Sequence, residues 1–391
     1  MNRFKNKLLW IPALALAAAA NTIPAQEDTQ EQTQQQTTHR FTGEHGAYVA
    51  EQVVTGLSQP AAIEILPDGR ALVMQRNLGL MTLVDFKTGE KIEITGMPTM
   101  VVYDDAGAHD IELHPDYAEN GWIYISYTEG QEVHSTLVLD RVRLNGTEVA
   151  DRERIFTANA YSENAYHFGG RIQFHDGYVY LSIGDRQHPD RAQELDNHTG
   201  TMIRLHDDGR VPEDNPFVVA EEGEDSTRLP EIWAYGLRNP QGLYVHPETG
   251  ELWEDEHGPR GGDELNLIKR GGNYGWPVIT FGLEYDGGDV GRGITHQEGM
   301  EQPVWVYVPS IAPSDLVIYQ GDAFPQWKGN FFIGSLALTH LNRLVLKDGM
   351  VVAEERLARG VLTRIRTIAV DAAGLIYLGT DLGDIWRLRP E

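Results

Sequence analysis

The stretch AAIEILPDGRALVMQ, residues 61–75, contains the pattern that decides the fold. Apolar and polar residues alternate on both sides of a Pro-Asp-Gly turn, and this alternation around such a turn is typical of a β-hairpin. Similar phrases begin at five later positions, His109, Gly170, Gln241, Ser314 and Arg366. The sequence therefore predicts an internal repeat of hairpins.

The spacing of the hairpins favours one architecture. Consecutive hairpins are far enough apart for a four-stranded sheet with its loops, and helical periodicity is scarce between them. Six such sheets around an axis form an all-β, six-bladed β-propeller. A pair of β-sandwiches is the alternative, but it does not predict six similar hairpins. We expect strands at 48–55 and 383–390 to share one blade and so close the ring.

The amino terminus has the features of a secretory signal peptide. Basic residues precede an apolar run from Leu8 to Ala20, and small residues follow before Gln26. The run is too short to span a bilayer, and we expect no membrane-spanning segment. We interpret residues 1–26 as the signal peptide, 27–40 as a disordered glutamine-rich tether and 41–391 as the propeller. This division predicts a periplasmic or secreted protein.

Composition excludes several classes of function. The chain of 391 residues has no cysteine, which excludes disulfides, thiol catalysis and cysteine-bound zinc. Its formal net charge is −26, so it would repel a nucleic acid. Acidity is also typical of calcium-binding exported proteins, although the simpler interpretation is solubility.

Two groups of polar residues interrupt the hairpin pattern. His167, Arg171 and Asp185 form the first, in which a carboxylate would orient an imidazole that acts as a base. A single histidine among 14 is nevertheless more often structural. Arg238 and Asn239 form the second, and they place two donors before Pro240, suitable for a carboxylate or a quinone oxygen. The alternative is a surface turn whose arginine pairs with an acid.

A third segment is rich in glycine and acidic residues. EDEHGPRGGDELNLIKRGGNYGWP, residues 254–277, offers carboxylates and main-chain carbonyls, the ligands that calcium prefers. Its spacing is not that of an EF-hand loop. A long acidic surface loop is the alternative, although the aromatic residues near its end indicate that the segment packs inward.

Taken in order, the phrases HFGGR, SIGD, YGLRNPQGL, EHGPRGGDELNLI and GGNYGWP resemble the soluble aldose (glucose/sorbosone) dehydrogenases that depend on pyrroloquinoline quinone (PQQ). The resemblance extends from about Val54 to Pro390, and it implies a six-bladed propeller. It implies that His167 is the base that takes the sugar hydroxyl proton and that Asp185 orients it. Arg238 and Asn239 would contact the cofactor, with Arg238 also stabilising the quinone oxygen.

The resemblance also implies a set of calcium ligands. The main-chain carbonyls of Gly258 and Pro259 match those that hold the calcium next to the cofactor. Glu264 and Tyr274 resemble ligands of a further, structural calcium. PQQ and calcium are therefore the expected cofactors.

Three further residues match cofactor contacts of the family, and two positions depart from it. Tyr285 matches a contacting aromatic residue, and Arg364 and Arg366 match a pair that clamps cofactor carboxylates. A family glutamine is replaced by Asp105 and a family lysine by Ala337. Both departures make the site more negative, so that either PQQ binding weakens, or calcium and the arginines carry more of it, or another ligand binds.

The resemblance implies an enzyme that oxidises the anomeric carbon of aldose sugars to lactones and passes electrons to an external acceptor. Two alternatives remain open from the sequence. One is a non-catalytic carbohydrate-binding or interaction propeller, which the departures at Asp105 and Ala337 would favour. The other is a calcium-dependent lactonase on the same scaffold.

Overall fold

The structure is a computed structural model that describes residues 37–218 and 227–391. Strands make up nearly all of its regular structure. The first half contains β1 (Thr38–Gly43), β2 (Gly46–Val54), β3 (Pro60–Ile65), β4 (Ala71–Gln75), β5 (Leu80–Val84), β6 (Lys91–Glu93), β7 (Ala108–Leu113), β8 (Ile123–Gln131), β9 (His134–Asn145), β10 (Glu148–Thr157), β11 (Gly169–His175), β12 (Tyr178–Ile183) and β13 (Thr201–His206). The second half contains β14 (Ile232–Tyr235), β15 (Pro240–Val245), β16 (Leu252–Glu256), β17 (Asp263–Ile268), β18 (Trp305–Tyr307), β19 (Pro313–Ile318), β20 (Phe331–Ser335), β21 (Leu341–Lys347), β22 (Met350–Leu357), β23 (Ile365–Val370), β24 (Ile376–Thr380) and β25 (Ile385–Pro390).

Helical segments are short. The one α-helix of the described residues, α1, covers Tyr117–Asn120. The 3₁₀ turns cover Arg76–Leu78, Pro189–Gln193 and Pro325–Trp327. Within residues 37–218 and 227–391, no helix has the length and apolar character that crossing a bilayer requires.

The strands form six antiparallel sheets arranged as the blades of a propeller. Strands β3–β6, β7–β10, β11–β14, β15–β18 and β19–β22 form five four-stranded sheets in chain order. The first strand of each sheet contacts the first strand of the next, and β23 of the last sheet contacts β3 of the first. This closed ring of innermost strands confirms the predicted propeller, and the sandwich alternative is wrong.

The six hairpins predicted from the sequence correspond to the first two strands of each blade. The phrase at 61–75, for example, forms β3 and β4, which pair from Pro60 opposite Gln75 to Ile65 opposite Ala71. Alternation succeeds here because each innermost strand directs alternate side chains to the two faces of its blade. Apolar residues on these faces pack against the neighbouring blades and form the core between them.

The sixth blade contains strands from both ends of the described chain. Its strand order is β1-β2-β25-β24-β23, and β2 pairs with β25 from Tyr48 opposite Pro390 to Val54 opposite Ile385. The predicted closure by the two termini is therefore confirmed. Glu51 of β2 adds ion pairs to Arg387 and Arg389 of β25, each with a 2.6 Å contact. The blade begins at Thr38, within the last residues of the predicted tether, and residues 27–36 of the tether and the predicted signal peptide lie outside the described residues.

Every innermost strand is irregular near its start. The pairing register with the second strand shifts within the first three residues or so of β3, β7, β11, β15, β19 and β23. Such bulges redirect side chains and the chain that leads into the strand. The segments that precede the innermost strands therefore meet at the same end of the ring.

Arg171 joins the six innermost strands at the axis. It belongs to β11, and its buried guanidinium donates to Asp110 Oδ1 of β7 at 3.3 Å and to main-chain carbonyls of the four other strands. Those carbonyls belong to Ala61, Gln241, Ser314 and Arg366. Arg171 was expected from the sequence to belong with His167 and Asp185, but it lies at the axis of the ring.

Candidate active site

A cavity of about 320 Å³ opens where the segments that precede the innermost strands meet. Residues of all six blades line it, because the segments that precede the innermost strands and the loops that follow the second strands lie at the same end of the blades. The cavity brings together six residues that the sequence predicted, His167, Arg238, Asn239, Tyr285, Arg364 and Arg366. Cavities that bring together polar groups from several elements are the usual location of ligand sites.

His167 and Asp185 form a hydrogen-bonded pair at this cavity. Nδ1 of His167 lies 2.6 Å from Oδ1 of Asp185, and the histidine lines the cavity while the aspartate is buried behind it. Because Nδ1 is engaged by the carboxylate, Nε2 is the nitrogen that remains for a ligand. This arrangement is that of a base and the group that orients it.

Asp185 is held in its ionised form by its surroundings. Burial alone would raise its pKa, but hydrogen bonding to His167 and the charges of His167 and Arg238 bring the pKa below its ordinary value. Its Oδ1 also accepts the main-chain N–H of Gln187 at 2.8 Å, and its Oδ2 accepts the indole N–H of Trp276 at 2.8 Å. The carboxylate is thus fixed on both oxygens.

The backbone holds His167 in a left-handed conformation with a φ of 55°. The adjoining strand end is closely packed, since a Cβ on Gly184 would lie 2.2 Å from the carbonyl oxygen of His167. Arg186 holds the loop that contains His167 by donating to the carbonyl oxygens of Asn164 and Tyr166. Its guanidinium lies 3.5 Å from the ring centre of Phe168. These contacts fix the position of the imidazole.

Arg238 and Asn239 face the cavity from the segment before β15. Nη1 of Arg238 donates to the carbonyl oxygens of His257 and Gly258, each at 2.9 Å. Its Nε is buried, and the described residues offer it no partner. The side-chain amide of Asn239 lies 3.4 Å from His257 Nδ1 and also accepts a bond from Gln241 at 3.0 Å.

His257, which the sequence did not single out, is a neutral imidazole of the cavity wall. Burial, followed by the charge of Arg238, lowers its pKa to about 3. Its Nε2–H donates to the carbonyl oxygen of Pro313 at 2.6 Å. The side chain therefore contacts Asn239 and joins two blades.

Arg364 and Arg366 converge on one carboxylate. Asp381 accepts from Nε of Arg364 at 2.8 Å and from Nη2 of Arg366 at 3.0 Å. Burial would raise the pKa of Asp381, but these two guanidinium groups bring it below its ordinary value. Asp381 thus holds both arginines in position. Its single negative charge compensates one of their two positive charges.

The residues expected to bind calcium lie beside the cavity. Gly258, Glu264 and Tyr274 line a smaller cavity that shares Arg238 and His257 with the first. Pro259 is buried next to it and packs against Gly282. The hydroxyl of Tyr274 is already engaged, donating to the carbonyl oxygen of Leu267 at 2.6 Å, so a metal ligand from this residue would be its main-chain carbonyl.

The chemistry of this smaller cavity suits a cation. Glu264 stands opposite Glu256 in the pairing of β17 with β16, both are buried, and burial together with Glu256 raises the pKa of Glu264. The neighbouring oxygens Glu254 Oε1 and Asn266 Oδ1 are buried without a hydrogen-bond partner in the part of the chain that the structure describes. These oxygen-rich surroundings fit calcium, and Arg238 is the one cation among the described residues that line the cavity. Side chains alone do not complete a site, since the described residues contain no group of three or more His, Asp or Glu arranged to hold a metal.

The two departures from the family pattern differ in position. Asp105 lines the main cavity, with half of its side chain exposed, and its Oδ1 lies 3.7 Å from Nη1 of Arg76. Ala337 is exposed and does not line the cavity; its neighbour Leu336 does. Only the change at Asp105 therefore alters the charge of the cavity wall directly.

Arg76 and His109 line the cavity but were not predicted from the sequence. Arg76 follows β4, and His109 lies in β7, where it stacks near Phe168 and bonds Thr128 Oγ1 through Nε2 at 2.8 Å. Neither residue stands in a conspicuous motif, because His109 begins an ordinary hairpin phrase and Arg76 directly follows one. The available signal is a polar residue at the end of a strand near the channel.

Comparison with known proteins agrees with this architecture. Residues 57–387 match the family model described as Glucose / Sorbosone dehydrogenase. The aldose sugar dehydrogenase YliI of Escherichia coli is 33% identical over 342 residues, which cover 86% of this chain and 91% of that protein.

Two solved structures are similar over most of the chain. The apo form of the soluble aldose sugar dehydrogenase from E. coli has a TM-score of 0.82 at 33% identity and covers 88% of this chain and 99% of its own. The PQQ-bound aldose sugar dehydrogenase from Streptomyces coelicolor has a TM-score of 0.71 at 26% identity, covering 91% and 98%. From the matched family model and these relatives, the chain belongs to the glucose/sorbosone dehydrogenase family.

Proposed function

We propose that the chain is a PQQ- and calcium-dependent dehydrogenase that oxidises the anomeric carbon of aldose sugars to lactones and passes the electrons to an external acceptor. The observation that carries this proposal is the His167–Asp185 pair, whose imidazole faces a cavity lined by arginines. The predicted signal peptide supports a periplasmic or secreted location.

The charge of the cavity supports an anionic cofactor. Four arginines, Arg76, Arg238, Arg364 and Arg366, line it in a chain whose formal net charge is −26. Buried guanidinium groups are favourable partners for carboxylates, because they offer two parallel donors. PQQ carries three carboxylates and so suits this wall. Arg238, Arg364 and Arg366 would hold it, Asn239 would donate to it, and Tyr285, 72% exposed, would cover it at the mouth.

Residues of the segment 258–274 would hold the expected calcium. Gly258 and Pro259 would supply main-chain carbonyls there, and Glu264 and Tyr274 would hold a second ion in the smaller cavity. When bound, the quinone supplies an acceptor for two electrons, and the metal polarises it as a Lewis acid.

The chain's own residues handle the proton of the reaction. The sugar becomes a lactone when its anomeric hydroxyl loses a proton and its anomeric carbon loses a hydride to the oxidised cofactor. Nε2 of His167 takes the proton, and Asp185 stabilises the resulting imidazolium because its carboxylate stays ionised and hydrogen-bonded to Nδ1. Arg238 places a positive charge where negative charge develops.

Reconstitution tests this proposal. The purified chain would be supplied with PQQ and calcium, and oxidation of a panel of aldoses would be followed by reduction of a dye. We expect turnover that requires PQQ, calcium and sugar together. If every aldose fails to reduce the dye, the proposal is wrong. Lactone hydrolysis without cofactor would then identify a lactonase, and sugar binding without turnover would identify a binding module.

A further inference from the structure

Arg76 is a buried cation of the cavity wall with little compensation. Its side chain is 8% exposed, and its Nε is buried without a hydrogen-bond partner within residues 37–218 and 227–391. Its guanidinium has one ion pair there, to Asp105, at 3.7 Å, which is beyond hydrogen-bond distance. Leaving a buried charge without hydrogen bonds is unfavourable.

The surroundings of Arg76 make this charge more costly. Burial, followed by the positive charge of Arg366, lowers the pKa of Arg76 to about 9, with Asp105 opposing and Arg171 adding to the shift. Asp381, the other facing carboxylate, is already bonded to Arg364 and Arg366. No nearby side chain among the described residues accepts a hydrogen bond from the Arg76 guanidinium, and a bound anion would do so.

The backbone fixes Arg76 and Asp105 independently of each other. The N–H of Arg76 donates to Gln59 at 3.1 Å, whereas the N–H of Asp105 donates to Ala165, in the loop of His167, at 3.2 Å. Between them, Gly107 has a φ of 142°, and a Cβ there would lie 2.3 Å from the carbonyl oxygen of Arg76. The close approach of these two segments holds both side chains at one wall of the cavity.

We infer that Arg76 is a further anion-binding residue of this cavity, which contacts a carboxylate of the bound cofactor, and that Asp105 weakens this contact by competing for the guanidinium. The inference rests on the proposed function, since it takes PQQ as the anion. It adds a contact from the first blade to those from the fourth and sixth.

Binding measurements on the full chain test the inference without relying on turnover. PQQ would be titrated with calcium present, and the dissociation constant read from quenching of tryptophan fluorescence. Arg76→Gln should raise the dissociation constant by about 10- to 100-fold, as expected for loss of a charge-assisted hydrogen bond. Arg76→Lys should recover part of the loss. Arg210→Gln, at an exposed arginine paired with Asp208, is the matched control.

Asp105→Asn provides the opposite test, and we expect it to keep the fold because the Asp105 side chain is half exposed. It should lower the dissociation constant by about 2- to 10-fold, since the competing charge is gone. Values for Arg76→Gln and Asp105→Asn that equal the control would overturn the inference while the proposed function stands. A wild-type chain that does not bind PQQ would overturn both.

Discussion

Trp276 donates its indole N–H to Asp185 Oδ2 over 2.8 Å, on the side of the carboxylate opposite His167. The two residues are 91 positions apart in the sequence, and the tryptophan follows β17 while the aspartate follows β12. The orientation of the candidate base therefore depends on a long loop from the next blade. That loop also contains Tyr274, and β17 before it contains Glu264, two of the residues expected to bind calcium, so the structure joins the two parts of the site.

Replacing Trp276 tests this dependence. Trp276→Phe keeps an aromatic ring but removes the N–H, and we expect kcat to fall about tenfold because the carboxylate loses one of its anchors. The dissociation constant for PQQ should change less than kcat. Trp327→Phe is the matched control, since its buried indole N–H has no hydrogen-bond partner among the described residues. Equal kcat values in the two variants would contradict the role of Trp276.

His167 should be needed for turnover and not for folding. His167→Gln retains a polar side chain of similar size, and loss of a general base should lower kcat by about 10²- to 10⁴-fold. The melting temperature should stay near that of the wild type, because the side chain lines an open cavity. His296→Gln, at an exposed histidine, serves as the control. A variant that folds and retains more than a tenth of wild-type kcat would exclude His167 as the base.

Arg171 should contribute to stability through the axis of the ring. Arg171→Met removes its donors to the other innermost strands and leaves Asp110 and Asp315 without their shared cation. We expect the free energy of unfolding to fall by about 3–5 kcal/mol, the usual cost of breaking a buried ion pair. Urea unfolding measures this loss.

The comparison for Arg171 is an arginine on the surface. Arg70→Met removes an exposed ion pair with Asp68 and should cost about 0–1 kcal/mol. Similar losses in the two variants would show that the axial contacts add little to stability.

Acidic side chains at the axis of the ring predict that the stability of the fold depends on pH. Glu64 and Glu112 line a second cavity on the axis, which Arg171 also lines. Burial, followed by the charge of Asp110, raises the pKa of Glu64 to about 8. Because this pKa lies above that of the unfolded chain, the proton stabilises the fold below about pH 4.5, and this stabilisation is lost as the pH rises towards 8.

Glu64→Gln should remove the loss of stability that ionisation of Glu64 causes at high pH. The variant should unfold at the same temperature as the wild type near pH 4 and at a higher temperature near pH 9, with a gain of at most about 1.4 kcal/mol per pH unit between them. Melting curves across this range measure the difference. The exposed Glu93→Gln is the control and should show no such trend. A Glu64→Gln variant less stable than the wild type at pH 9 would show that the carboxylate is favourable there.

The blades were predictable because the information is local. Each hairpin alternates apolar residues around its own turn, as residues 61–75 do, and a repeat of such hairpins leaves few architectures. The pairing of His167 with Asp185 was also predictable, since the two residues flank a single hairpin. The resemblance to a known family added Arg364 and Arg366, which the alternation pattern does not distinguish from surface arginines.

The remaining site residues depend on contacts between blades. Arg76 reaches the cavity because the ring closes and the segment at Gly107 packs against it. Arg171 was placed beside His167 by sequence distance, but side chains four positions apart diverge when a bulge intervenes at the start of β11. Such positions follow from the closed ring and not from any single hairpin.

An absorption spectrum of the reconstituted protein tests the central claim most directly. The chain would be loaded with PQQ and calcium, freed of excess cofactor, and recorded before and after addition of an aldose. We predict that the bound quinone spectrum changes to that of the reduced form on sugar addition, and that His167→Gln retains the cofactor without this change. A chain that retains no quinone after removal of the excess, or a bound quinone that no aldose reduces, would contradict the account.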